Sequence, residues 1–189
     1  MPSIETRVYL GIDPGVNGGL SWIRNRVVST SKMPESNEEI LFLLRKLKWE
    51  GVVEAVIEKV WGYVGKGSAG PHMFKLGANY GSLKMALLAS DISLIEECPP
   101  RNWQKSLGID PRIKNRKDKK GETDTEWKNR LKRKAQQLFP EIKVTLATAD
   151  SLLIAEYCRR LSVSRRTGVR DAEASRQVES RSRRVRTTS

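Results

Sequence analysis

The stretch Val8–Leu20, VYLGIDPGVNGGL, constrains this chain more than any other. Val8, Tyr9, Leu10 and Ile12 form a nearly unbroken apolar run, the pattern of a strand buried on both faces. Asp13 closes the run. Pro14, Gly15, Asn17, Gly18 and Gly19 then make a turn of residues suited to special backbone angles. Leu20, Ser21, Trp22 and Ile23 resume an extended segment, so the unit reads strand, acid, tight turn, returning strand. A lone acid at the end of a core strand is expensive to desolvate unless its charge is compensated. A metal ion compensates it; the alternative is an Asp whose side chain caps the turn.

Along the chain, Arg7–Ile12, Gly19–Ile23 and Val27–Met33 read as strands joined by tight turns, and so as antiparallel neighbours. Ser36 or Asn37 caps a helix whose apolar face is Ile40, Leu41, Leu43, Leu44 and Leu47, stopped by Gly51. Val52–Val60 reads as a strand and Trp61–Pro71 as a glycine-rich loop. His72–Leu88 reads as a long helix, with Phe74 expected in its core face. Its Gly77 and Gly81 mark close approach of another backbone, a partner or a ligand, or tight packing inside the domain. Ile92–Ile95 is a short strand, Arg101–Leu107 a short helix, and Asp110–Gly121 a basic loop. A helix begins at Thr123 or Thr125 and ends at Phe139–Pro140, an extended lead-in follows over 142–146, and a last helix covers Ala149–Leu161. Strands followed by alternating strand and helix define an α/β domain with a mixed sheet. The expected division is one folded domain over 1–161 and a disordered, arginine-rich tail over 162–189, where Ser, Arg, Thr and Glu replace large apolar residues.

Charge points to the partner. The formal net charge is +13. Residues 112–134 carry net +7 and residues 159–189 another +7, which leaves the rest of the chain at −1. Two concentrated basic segments on a near-neutral body favour a polyanion, nucleic acid before acidic membrane. No apolar run approaches the length of a membrane helix, and the N-terminus MPSIETR lacks a signal peptide's apolar stretch. Cys98 and Cys158 form no disulfide framework and no CxxC knuckle, so a reducing compartment is expected: the cytoplasm, with nucleoid or viral DNA, or an organelle.

Two further acids are placed as Asp13 is. Glu58 lies at the far end of VVEAVIEKV, and Asp150 in the first turn of the last helix, on its apolar side. Singly, Glu58 is an ordinary polar-face strand residue and Asp150 an ordinary acid at a helix N-terminus. Together, carboxylates at the ends of buried elements in a polyanion-binding chain suit phosphoryl chemistry with a pair of divalent ions. Hard oxygen ligands favour Mg²⁺ or Mn²⁺. There is one His, no GxxxxGK[ST] loop and no Cys/His set for zinc.

In this order, GIDPGVNGG with Asp13, VIEKV with Glu58 and ADSLLIAEY with Asp150 resemble the RuvC family of Holliday-junction resolvases, and most closely its phage and organellar branch. PPRNWQKSLGI, with Trp103 and Lys105, PHMFKLGANYGSL, and LFP before the last helix resemble that branch as well, over about Val8–Arg160. The resemblance implies an RNase H-like fold, a homodimer and Mg²⁺-dependent nicking of four-way DNA junctions. It makes Asp13, Glu58 and Asp150 metal ligands and places Lys105 near the scissile phosphate. The family's fourth ligand, three or four residues before Asp150, is missing: Ala147 and Leu146 stand there. A catalytically impaired junction-binding module of the same fold is therefore the alternative. A fragment of an actin-like ATPase, which shares the GIDxG turn, is a third reading, and no second phosphate loop accompanies it. DNA contacts are expected from Lys66, Lys75, Lys114, Arg116, Lys117, Lys119, Lys120, Arg130, Arg133 and Lys134, with Tyr63 stacking on a base.

Overall fold

The computed structural model describes residues 6–61, 70–115 and 120–186, with side chains through Gly168. The opening apolar run is β1 (Arg7–Asp13), antiparallel to β2 (Gly19–Arg24), which is antiparallel to β3 (Val27–Lys32). Asn25 and Arg26 link β2 to β3 at φ 48° and 70°, the two-residue turn whose twist matches its flanking strands. Ser36 caps α1 (Asn37–Trp49) by accepting from the Glu39 N–H at 3.1 Å. β4 (Val52–Glu58) lies parallel to β1, and β5 (Ser93–Cys98) parallel to β4, joined by the crossover helix α2 (Gly70–Ala89). After α3 (Pro100–Ser106) come α4 (Asp124–Leu138) and α5 (Leu146–Arg186). Thr123 and Glu126 close a full capping box at the start of α4.

The sheet order is β3-β2-β1-β4-β5. This mixed five-stranded sheet flanked by helices is the RNase H-like arrangement that the sequence predicts. One sheet face carries Val8, Leu10 and Ile12 of β1 with Val53, Ala55 and Ile57 of β4, packed with Ile40, Leu44 and Leu47 of α1 and Leu83 and Leu87 of α2. The other carries Tyr9, Gly11 and Asp13 beside Glu54, Val56 and, at the strand end, Glu58. α5 lies on that second face. Its Leu152, Leu153, Ile154 and Ala155 are fully buried.

Several boundaries differ from the sequence reading. β4 stops at Glu58 rather than Val60, and β5 runs on to Cys98 across a register shift at Ala55/Val56. The stretch 142–146 forms no strand, and α5 starts at Leu146, directly after Thr145, whose N–H donates to Thr148 Oγ1 at 3.2 Å. Phe74 is not in the core: it is 77 % exposed, because α2 turns Leu83, Ala86 and Leu87 inward instead. The chain divides into units Met1–Cys158 and Arg159–Ser189. In the second unit, the last buried side chain among those described is Ser162, and Val163 beside it is exposed. Its backbone is helical to Arg186. The segment contains no proline, and Arg, Ala, Glu and Gln are good helix formers. Among the described residues no helix is long and apolar enough to cross a membrane.

Candidate active site

Register brings the first two acids together. Ile12 stands opposite Ile57 on parallel strands, so the next residues, Asp13 and Glu58, leave the same end of the sheet on the same face. The third arrives on α5. A Cβ on Gly11 would overlap the backbone of Ser151 and Ala155, so only glycine permits the helix to lie this close to β1. Asp150 adjoins Ser151, and Ser151 Oγ shares a buried hydrogen bond of 2.7 Å with Ser21 Oγ on β2. The helix is thus fixed against the sheet directly after Asp150.

The turn after Asp13 is held from within and from α2. Gly15 adopts φ 104°, and its carbonyl accepts from the Gly18 N–H at 2.9 Å. The Gly15 N–H donates to Asn79 Oδ1 at 2.8 Å. The next residue on α2, Tyr80, donates its hydroxyl to Glu97 Oε2 of β5 at 2.7 Å. α2 therefore braces both flanks of the carboxylate group.

Asp13, Glu58 and Asp150 are half-buried, and each has a raised pKa. Burial is the largest cause for Asp13, which is held well above its ordinary value, followed by the charges of Asp150 and Glu58. Burial pushes Glu58 up to about 7 and Asp150 up to about 6. Two groups oppose this. Trp103 Nε1 donates to Glu58 Oε2 at 2.9 Å, and the Lys128 ammonium pulls Asp13 and Asp150 down. The donor chemistry fits a hard divalent cation: oxygen ligands only, partly desolvated, mutually repelling. As they stand, however, no three His, Cys, Asp or Glu side chains among the described residues gather closely enough to hold an ion.

The sequence singles out these three acids, but not Trp103's bond to Glu58, Lys128 or Asn79. Lys128 is one lysine among many on the polar side of α4. Asn79 gives no local signal, since its partner lies 64 residues away. Trp103 is visible as an aromatic in a short helix, yet its partner is 45 residues away. At the expected fourth-ligand positions, Ala147 is half-buried and Leu146 exposed, so the structure supplies no acid there.

The expected DNA-contacting residues separate into groups. Lys105 is exposed on α3, Lys75 on α2, Arg133 on α4, and Lys114 and Lys120 on the loop between α3 and α4; Lys134 is half-buried. Arg130 is turned inward. Its guanidinium donates to Asp110 O at 3.0 Å, Pro111 O at 3.2 Å and Glu122 Oε2 at 2.8 Å, and lies over the Trp127 ring at 4.5 Å. Its fork ties the loop ends together. Tyr63, Lys66, Arg116, Lys117 and Lys119 lie outside the described residues. Gly77 and Gly81 face open space, with nothing within 4 Å of a built Cβ, so packing inside the domain does not explain them. Beside them Phe74, Met85 and Leu88 are 77 %, 63 % and 74 % exposed.

No protein-family model matches the sequence, and no curated protein does. Among solved structures, the chain is similar to RuvC of Thermus thermophilus. One such structure, RuvC in complex with a Holliday junction substrate, is 15 % identical with a TM-score of 0.48 over 79 % of this chain and 90 % of that one. Another RuvC structure is 14 % identical with a TM-score of 0.47 over 78 % and 90 %.

Proposed function

We propose that this chain is a divalent-metal-dependent, structure-selective DNA endonuclease that resolves four-way junctions. The observation that supports the reading is that Asp13, Glu58 and Asp150 are all desolvated, with the charges of Asp150 and Glu58 raising the pKa of Asp13. Those three side chains would hold Mg²⁺ or Mn²⁺, two ions in the full site, and a bound pair supplies an activated water and charge compensation for the leaving oxygen. The chain's own residues do the rest. Trp103 fixes one oxygen of Glu58, Asn79 fixes the turn behind Asp13, and α5 is seated by Gly11. Lys105, Lys75, Lys114 and Lys120 meet phosphates, and Lys128 lowers the negative potential that a phosphodiester approaches.

Paired nicks require two sites, so the proposed assembly is a homodimer. Phe74, Ala78, Gly81, Met85 and Leu88 form an exposed seam on α2, spaced alternately by four and three, which suits a second copy of the same helix. Sedimentation of the wild type as a dimer and of Met85→Lys as a monomer checks this.

The test of function is incubation with a synthetic four-way junction and Mg²⁺. Wild type should nick opposing strands, and Asp13→Asn should bind without nicking. The second reading, a junction-binding module without cleavage, is favoured by Ala147, which leaves the acid group one ligand short. Tight binding by both proteins with no nicks from either selects it.

A further inference from the structure

Beside α3 lies a groove of about 950 Å³, lined on one side by Arg101, Asn102, Gln104 and Lys105, and on the other by the segment Gly108–Lys114. Both walls are anchored. Trp103, between Asn102 and Gln104, is 1 % exposed, and Leu107 and Ile109 are buried as well. The Ile109 N–H returns to Gln104 O at 2.9 Å. On the far wall, Arg112 donates to Glu122 O at 2.9 Å and pairs with Asp124 at 2.6 Å, while the Ile113 N–H donates to Glu122 Oε2 at 3.0 Å. Arg130, held by the same Glu122, closes the base of this loop.

Within those fixed walls, the side chains of Arg101, Asn102, Gln104 and Lys105 have no hydrogen-bond or ion-pair partner among the described residues. The chemistry is of two kinds. Arginine and lysine bind phosphate without regard to sequence. Primary amides present a donor and an acceptor side by side, which match the N6 and N7 edge of adenine. Trp103 gives the placement, because the indole that separates the two amides holds Glu58 at 2.9 Å.

We infer that this groove holds a DNA strand near the branch point, with Arg101 and Lys105 on its phosphates and Asn102 and Gln104 reading its bases. The base preference then lies at a fixed offset from the acids, because Trp103 joins the reading helix to Glu58. The inference rests on the proposed DNA-nuclease function and names the residues that give that site a sequence preference.

The test measures binding without cleavage. Four-way junctions randomised at the central base pairs are bound in EDTA, and the bound fraction is sequenced. Wild type should enrich particular bases about tenfold. Asn102→Ala/Gln104→Ala should keep overall junction affinity and lose the enrichment. Arg101→Ala should weaken all sequences alike and reduce the salt slope by about one. Wild-type binding without enrichment overturns the inference, as does enrichment that survives in the double variant or a double variant that loses affinity for every sequence equally. Absence of junction binding by wild type overturns the proposed function as well, so the two failures are distinct.

Discussion

The indole N–H of Trp103 donates to Glu58 Oε2 across 2.9 Å, joining a buried aromatic on α3 to the carboxylate at the end of β4. The bond favours the charged form of a carboxyl that burial nonetheless holds at about 7. Trp103→Phe removes the donor and most of a ring. The Glu58 pKa should rise further, and the pH profile of junction cleavage should shift to higher pH. Stability should fall by about 2 kcal/mol, from the lost bond and the cavity. A stability loss with an unmoved pH profile would mean that Trp103 only fills space.

The raised carboxylates make folding and metal binding depend on pH. Glu58 at about 7, Asp150 at about 6 and Asp13 well above its ordinary value each bind protons in the folded chain that the unfolded chain has released. Stability therefore falls as pH rises from about 4, where unfolded carboxyls titrate, through about 7. Glu97, Glu122 and Glu126 have lowered values and act in the opposite sense, below that window. In EDTA, Tm should be lower at pH 8 than at pH 5.5, by on the order of 5 °C. Excess Mg²⁺ at pH 8 should recover much of it, since the ion binds the folded state alone. Equal Tm values at both pH values in EDTA would show that the acids are well solvated.

Gly11 sets where α5 lies. Gly11→Ala would drive a methyl into the backbone of Ser151 and Ala155. A clash with main chain is not relieved by a rotamer change. The variant should lose about 3 kcal/mol in urea unfolding. Its cleavage should fall more steeply than its folded fraction, because α5 carries Asp150. An unchanged unfolding midpoint would contradict the close approach.

The fold was largely legible in the sequence because its signals are local. The run before Asp13, the Ser36 cap and the Thr123–Glu126 box each specify an element within a few residues. The three candidate acids stand out in the sequence because each interrupts an apolar pattern. Contacts that position those acids were not legible. Gly11 looks like any strand glycine until α5 is laid on it, and Asn79 and Trp103 act on residues 64 and 45 positions away. Arg130 looks like one more surface cation; its inward turn follows from Glu122 and Trp127 on its own side of the loop. Phe74 went the other way, since helical spacing does not say which apolar side of a two-sided helix meets the sheet.

Ala147 lies one helical turn before Asp150 and is half-buried. Ala147→Asp should add an oxygen ligand to the proposed metal centre. Cleavage of a four-way junction should then reach half its maximum at a lower Mg²⁺ concentration, by roughly tenfold, the scale on which one ligand or its support alters metal affinity. An unchanged Mg²⁺ requirement would show that residue 147 does not serve the proposed metal centre.

The central claim is that Asp13, Glu58 and Asp150 form one metal centre. Calorimetric titration of Mn²⁺ into the wild type and into Asp13→Asn at pH 7.5 tests it most directly. The account predicts saturable binding by the wild type with release of protons, and loss of that binding in Asp13→Asn while the variant keeps its Tm or gains stability from the removed repulsion. Identical Mn²⁺ isotherms for the two proteins, or no binding by the wild type, would contradict it.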